Sequence, residues 1–191
     1  MNVLCIGPGQ SALEYQDYAQ FNNFDYKIGC RELLSDPAWE PLDFIASHNI
    51  TDTRYVMETY DNWQHRLVTT QRMNEYFNLS LRPVFQQLST TQYDNTYSLQ
   101  ARMAVLLGAT HITTIGWDIL SGDIRTLEDT RYRQDNPVQT HVIEKQLVKE
   151  RVRKLMTPIR AVFRLAPNTI KWEHKTPREI QHDPQGYYYV E

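Results

Sequence analysis

Cysteine is nearly absent from this sequence: 191 residues contain only Cys5 and Cys30. Each lies in an apolar, strand-like run, a setting that predicts a buried free thiol rather than a disulfide or part of a zinc site. The carboxylates of Asp118, Asp123 and Asp129 lack the fixed spacing of a divalent-ion loop. We therefore expect no metal site.

The chain also lacks long apolar runs, a signal segment and a strong net charge. No apolar run approaches the roughly 20 residues that span a bilayer, and no basic segment with an apolar core opens the chain. A formal net charge of -3 implies no general polyanion-binding surface and no nucleic-acid partner. We expect a cytoplasmic protein without a transmembrane segment. Without repeats or composition shifts, residues 1–191 fit one domain.

The stretch VLCIGPGQSAL, Val3 to Leu13, organises the chain. Its apolar start predicts a buried strand, and Gly7 and Gly9 let the backbone come close to a ligand. Amides at the start of the following helix, with the Ser11 hydroxyl, would face an anionic group. The stretch is either a nucleotide cradle or a tight turn in an α/β core with nothing bound.

Short apolar runs alternate with helical patterns along the rest of the chain. The predicted strands are Asp25–Cys30, Leu42–Ser47, Arg66–Thr70, Leu81–Phe85, His111–Gly116 and Arg160–Ala166. The predicted helices are Thr51–Thr59, Thr96–Gly108 and Pro137–Leu155. In the last of these, Lys149 to Lys154 would neutralise the C-terminal dipole. The alternation predicts a doubly wound, mostly parallel α/β sheet, Rossmann-like, with helices on both faces.

Two segments show no periodic pattern. The polar segment from Leu120 to Asn136 is longer than ordinary connections of about 4 to 6 residues, and is either a lid over a ligand or a solvated insertion. The tail from Lys175 is expected to be loosely held, with Tyr187–Val190 available as a short edge strand.

Ligands of such sheets bind beyond the carboxyl ends of the strands. Polar or small residues follow several predicted strands at that edge: Gly7 to Ser11, Arg31, Ser47, His48, Trp117 and Asp118. Asp118 either contacts a ligand or caps the next turn. This convergence predicts a binding site at one edge of the sheet.

Four stretches, in this order, resemble the bacterial sialyltransferases of glycosyltransferase family 42 and related Rossmann-like proteins of unknown function. They are IGPGQSAL (Ile6–Leu13), Thr96–Ile119 with its Leu-Gly and Ile-Gly-Trp-Asp-Ile, Thr140–Leu155, and LAPNT (Leu165–Thr169). The resemblance implies a GT-A-type fold and a metal-independent transferase. It would use a CMP-sialic acid-like nucleotide sugar as substrate, no resident cofactor, and a glycan or other hydroxyl acceptor.

The resemblance also implies a donor site. Gly7, Gly9 and Ser11 would contact the donor phosphate and ribose, and Thr96 takes the place of a nucleotide-contacting serine. Asn168 and Thr169 are similar to residues near the cytosine pocket. Pro8, Arg31 and Ser47 stand where the family has asparagines. Arg31, Ser47 and Asp118 complete the set of candidate donor-binding residues.

In such a transferase a base takes the acceptor proton while amides and hydroxyls stabilise the leaving phosphate. His141 is the nearest substitute for the base of the family, and Arg131 and Tyr132 would clamp the phosphate.

Two other functions remain open. An NAD(P)-binding enzyme is one, because Gly7, Gly9 and Ala12 also match Gly-x-Gly-x-x-Ala and Arg31 could face a 2′-phosphate. A non-catalytic nucleotide-binding module that kept the fold is the other. The sequence leaves the oligomeric state open, a homo-oligomer included.

Overall fold

A computed structural model describes residues 1–80, 88, 90–91, 93–123, 127 and 145–175 of the chain. Its centre is a six-stranded sheet in which every pairing is parallel, in the order β4-β3-β2-β1-β5-β6. The strands are β1 (Asn2–Ile6), β2 (Tyr26–Cys30), β3 (Phe44–Ser47), β4 (Leu67–Thr69), β5 (His111–Ile115) and β6 (Lys171–His174). The predicted α/β doubly wound fold is confirmed.

Five α-helices lie within the described residues: α1 (Gln16–Phe21), α2 (Ile50–Thr59), α3 (Gln71–Phe77), α4 (Thr96–Leu106) and α5 (Lys145–Leu165). Short 3-10 helices cover Gln10–Tyr15, Arg31–Leu33, Pro37–Trp39, Trp63–His65 and Asp118–Ser121. None of the helices in this part of the chain is long and apolar enough to cross a membrane.

The strand order reverses between β1 and β5. The chain moves outward from β1 through β4, returns through α4, and adds β5 and β6 on the other side of β1. Right-handed crossovers in opposite directions place their helices on opposite faces of the sheet. The burial of β1 agrees with this, because its four residues from Val3 to Ile6 are all 0% exposed. A strand covered on both faces is expected to be continuously apolar.

Side-chain caps explain where two of the predicted helices begin. The Asn49 side chain accepts a hydrogen bond from the Asp52 amide at 2.8 Å and starts α2. Asn95 and Ser98 form a reciprocal capping box at the start of α4. The Asn95 amide group also donates to the Leu155 carbonyl of α5 at 2.8 Å. One short side chain therefore fixes both the start of α4 and its contact with α5.

The predicted strand Arg160–Ala166 is wrong, because α5 continues through Leu165. Val152, Ile159 and Val162 are its buried residues at helical spacing, a pattern that a short apolar run does not reveal. The last strand is instead the more polar β6. The helix end also corrects the role given to Lys149–Lys154, which lies too far from Leu165 to neutralise the C-terminal dipole.

Several predictions lie outside the described residues. These are the strands Leu81–Phe85 and Tyr187–Val190, the start of the helix predicted at Pro137, most of the segment 120–136, and the tail after Lys175. Both cysteines are buried and free, as predicted.

Gly108 and Gly116 both have left-handed backbones but very different surroundings. Gly108, at the end of α4, has φ 81° and open space around an added Cβ. Gly116, after β5, has φ 65°, and a Cβ there would lie 2.5 Å from the Gly7 carbonyl oxygen and 2.8 Å from the Ala12 Cβ. Both positions favour glycine, but only Gly116 also allows two chain segments to approach closely.

We expect Gly116→Ala to destabilise the protein much more than Gly108→Ala. The left-handed conformation costs alanine about 1–2 kcal/mol at either position. At Gly116, overpacking against the first loop adds about 1–3 kcal/mol. Urea unfolding followed by circular dichroism measures both losses. Equal losses would show that the first loop shifts freely and that the close approach is not required.

Candidate functional site

The crevice where the strand order reverses is closed by hydrogen bonds between the loops after β1 and β5. The Gly7 amide donates to the Ile115 carbonyl at 2.8 Å, and the Gly9 amide donates to the Gly116 carbonyl at 2.8 Å. These bonds extend the β1–β5 pairing beyond the ends of both strands. Two of the amides expected to face a ligand are therefore bound to the protein itself.

A carboxylate of the protein occupies the next position along the first loop. Asp118, which is 2% exposed, accepts a hydrogen bond from the Ser11 amide at 2.9 Å and a short one from the Ser11 hydroxyl. A Cβ on Gly9 would lie 2.7 Å from this carboxyl group. Burial raises the pKa of the Asp118 carboxyl, and the two bonds from Ser11 oppose that rise. Asp118 thus bonds to the groups that were predicted to face an anionic ligand.

Gln100 joins the same two loops from the side of α4. Its buried amide group donates to the Ile6 carbonyl at 2.7 Å and accepts from the Trp117 indole N–H at 3.0 Å. The sequence interpretation missed this residue. The one available signal was a polar residue between the apolar residues Leu99 and Ala101.

Two aromatic rings and a later residue cover the first loop. Tyr97 and Trp117 pack edge to face with ring centroids 5.4 Å apart. A Cβ on Gly7 would lie 2.8 Å from either ring. The amide of the buried Leu127 donates to the Pro8 carbonyl at 2.7 Å. The residues from Gly7 to Gly9 are accordingly buried, so the two glycines are required by internal packing whatever else they do.

A second polar cluster follows β3 at the same edge of the sheet. The half-buried His48 has its Nδ1 3.2 Å from the Thr96 hydroxyl at the start of α4. Burial lowers the pKa of the His48 imidazole, and the nearby Asp52 carboxylate opposes this change. The imidazole is therefore neutral near pH 7 and can accept a proton. The sequence interpretation placed His48 at this edge but gave it no chemical role.

Arg31 follows β2, the neighbouring strand. Its Nε lies 3.6 Å from the Asp52 carboxylate, and its guanidinium lies 5.1 Å from the centre of the Tyr55 ring. Asn49 donates to the same carboxylate at 2.5 Å. The Arg31 side chain is 22% exposed, so a positioned cation at this edge remains within reach of solvent. The negative charge of Asp52 acts on both Arg31 and His48.

The predicted site residues fall into three groups. Gly7, Gly9, Ser11 and Asp118 come together and bond to one another or to the adjoining loop. Arg31, Ser47 and Thr96 lie at the same edge of the sheet, although the buried Ser47 hydroxyl is 2.8 Å from that of Thr53. The predicted catalytic residues Arg131, Tyr132 and His141 lie outside the described residues.

Asn168 and Thr169 are not part of this arrangement. They are exposed in the turn between α5 and β6, which is at the amino end of that strand. All amino ends of a parallel sheet share one edge, opposite the edge that carries Gly7 and His48. The expected position depended on the strand Arg160–Ala166, which is a helix.

Among residues 1–80, 93–123, 145–175 and the isolated described positions, no three His, Cys, Asp or Glu side chains are grouped as metal ligands.

The raised pKa of Asp118 predicts a pH-dependent difference between the wild type and Asp118→Asn. Because the folded state holds this proton more tightly than the unfolded state, the contribution of Asp118 to stability is complete at low pH. It is lost as the pH rises through the folded-state pKa. The unfolding free energy of the wild type minus that of Asp118→Asn should therefore fall as the pH rises above the ordinary Asp pKa of about 4.

Ser11→Ala provides the internal check, because the Ser11 bonds lower the pKa of Asp118. Removing the hydroxyl should move the decline to higher pH. Urea unfolding at several pH values measures both effects. A difference that rises with pH would contradict the assignment of burial as the dominant influence on Asp118.

No protein-family model, curated protein or solved structure matches this chain.

Proposed function

We propose that this protein is a metal-independent, glycosyltransferase-like protein that binds a nucleotide sugar at the carboxyl edge of its sheet. The donor is of the CMP-sialic acid type, and the acceptor is a glycan or another hydroxyl compound. A cytoplasmic location belongs to the same proposal. Support comes from the resemblance to family 42 sialyltransferases and from the parallel sheet, whose ligands characteristically lie at this edge.

The observation that carries the proposal is the contact between His48 and Thr96. These two residues come from different elements, and their side chains meet at the edge where the donor would bind. If Nδ1–H donates to the Thr96 hydroxyl, the lone pair on Nε2 can take a proton. A half-buried, neutral imidazole oriented by a hydroxyl has the chemistry of a general base.

The reaction would be a single displacement at the anomeric carbon of the donor sugar. The acceptor oxygen forms a bond to that carbon, and the bond from the carbon to the donor phosphate oxygen breaks. The nucleotide leaves with the electron pair, and the acceptor proton passes to Nε2 of His48. Arg31, held by Asp52 and Tyr55, would contact the phosphate as its negative charge increases.

One observation favours a second candidate, the non-catalytic nucleotide-binding module. The amides of Gly7, Gly9 and Ser11 all donate to acceptors within the protein. A donor phosphate would have to bind beside this loop, at Arg31 and His48, rather than within it. The same internal bonds count against the NAD(P) alternative, which needs these amides for its pyrophosphate.

We expect CMP to raise the melting temperature more than CDP, UMP, UDP, GDP, NAD or NADP, because a ligand that binds only the folded state stabilises it.

In the presence of CMP-sialic acid and an acceptor, His48→Asn should lower kcat by about two to four orders of magnitude. The CMP dissociation constant of the same variant, measured by calorimetry, should stay nearly unchanged. The acidic limb of the pH profile should disappear with the imidazole.

His111→Asn is the matched control, since His111 begins β5 at the opposite edge of the sheet. It should leave both turnover and CMP affinity unchanged. Binding of CMP with no transfer or hydrolysis in the wild type would favour the non-catalytic module. NADP binding without a response to CMP would favour the dinucleotide alternative. Loss of turnover in His141→Ala but not in His48→Asn would return the role of base to His141.

A further inference from the structure

A groove lies between the C-terminal halves of α4 and α5. Val105 and Leu106 of α4 line one side, and Val162 and Leu165 of α5 line the other. The volume of the groove is about 160 Å³. An apolar cavity of about 150 Å³ is large enough to hold benzene. The groove therefore has room for a small apolar group.

Much of the apolar surface of this groove is in contact with water. Leu165 is 78% exposed, and Val105, Leu106 and Ala166 are half-buried. Covering apolar surface is favourable, so a ligand that lies against these side chains gains free energy. An exposed leucine is nevertheless common on protein surfaces and does not by itself indicate which ligand binds. The chemistry of the ligand has to be inferred from the polar group in the groove.

Among the described residues that line the groove, Arg102 is the one with a charged side chain. Its side chain is 13% exposed, and its Nε donates to the Asp94 carboxylate at 3.0 Å. A guanidinium has five N–H bonds. The four on Nη1 and Nη2 of Arg102 have no acceptor among the described residues. A cation so largely removed from water is stabilised by a further acceptor.

The surroundings of Arg102 favour an acceptor with one negative charge. The Asp94 side chain is 0% exposed, and it also accepts from the Thr91 amide at 2.5 Å, so this carboxylate is held in place. Desolvation grows with the square of a charge, whereas attraction to one guanidinium grows only in proportion to the charge. A phosphate dianion is therefore disfavoured beside apolar walls. A carboxylate carries one charge and matches the planar guanidinium with two parallel hydrogen bonds.

We propose that the groove between α4 and α5 binds a monocarboxylate with an apolar chain, such as a short fatty acid. The carboxylate accepts hydrogen bonds from the terminal N–H groups of Arg102, and the chain lies between Val105 and Leu165. Arg102 and the apolar residues are needed together, since neither provides a site alone. The groove is at the opposite end of α4 from Thr96, so this site is separate from the proposed nucleotide-sugar site and does not depend on it.

The test is a titration of the full chain with straight-chain carboxylates, followed by proton–nitrogen correlation NMR. From butanoate to hexanoate the affinity should rise about fourfold for each added CH₂ group, because each is buried in the groove. Hexanol has an apolar chain but no charge, and should bind at least about tenfold more weakly than hexanoate. Hexylammonium should not bind. The largest shift changes should lie in the C-terminal halves of α4 and α5.

Two variants separate the charge from the apolar wall. Arg102→Lys keeps a cation beside the buried Asp94 but lacks the planar pair of donors. It should weaken hexanoate binding about tenfold and leave hexanol binding unchanged. Leu165→Ser should weaken the binding of both ligands about fourfold or more, because it removes part of the wall that covers the chain.

Leu13→Ser is the matched control, since Leu13 is 50% exposed and lies in the first 3-10 helix, far along the chain from both walls. It should leave both affinities unchanged, and circular dichroism should give the same fold for every variant. The proposal is overturned if hexanol binds as tightly as hexanoate, or if Leu13→Ser weakens binding as much as Leu165→Ser. A wild-type dimer that Leu165→Ser converts to a monomer would also overturn it, because a second copy would then cover the groove.

Discussion

The close approach between the loops after β1 and β5 is the constraint on which the rest of this structure depends. Gly7 and Gly116 come so near that a Cβ on either would lie 2.5 Å from the carbonyl oxygen of the other. Ser11 and Asp118 then bond across the same junction, and Gln100 adds α4 to it. Because all these polar groups are buried and paired, removing one leaves its partner without water to replace it. The junction fixes the centre of the sheet.

The contacts at this junction change how we interpret the glycine-rich loop that follows the first strand. Such a loop is usually interpreted as a cradle for phosphate, yet here a carboxylate of the protein accepts the Ser11 hydrogen bonds. The side chains that we propose to contact a ligand follow the next two strands, β2 and β3. There His48 contacts Thr96, and Asp52 lies beside Arg31. A loop motif can therefore identify the end of the sheet where a ligand is expected, although the residues of the loop itself make hydrogen bonds within the protein.

Local signals in the sequence were sufficient for most of the fold. The apolar run of β1 and the alternation of strands with helices predict the parallel sheet correctly. The prediction of a strand at Arg160–Ala166 was wrong because seven residues of mixed polarity fit a strand as well as they fit the end of a long helix. The candidate site was harder to predict, since its contacts are non-local: Ser11 and Asp118 are 107 positions apart, and His48 and Thr96 are 48 apart. A single sequence holds no record of such pairings.

The position of β1 at the centre of the sheet has a consequence for synthesis on the ribosome. Its first strand pairs with β2 on one side and with β5 on the other, where Asn2 lies opposite His111. The half formed by β1 to β4 therefore emerges with one edge of its central strand unpaired. That side of β1 remains open until His111–Ile115, the residues of β5, have left the exit tunnel. Unpaired strand edges are the segments that aggregate and that chaperones protect. The β1 strand is thus a vulnerable segment while the domain is being synthesised.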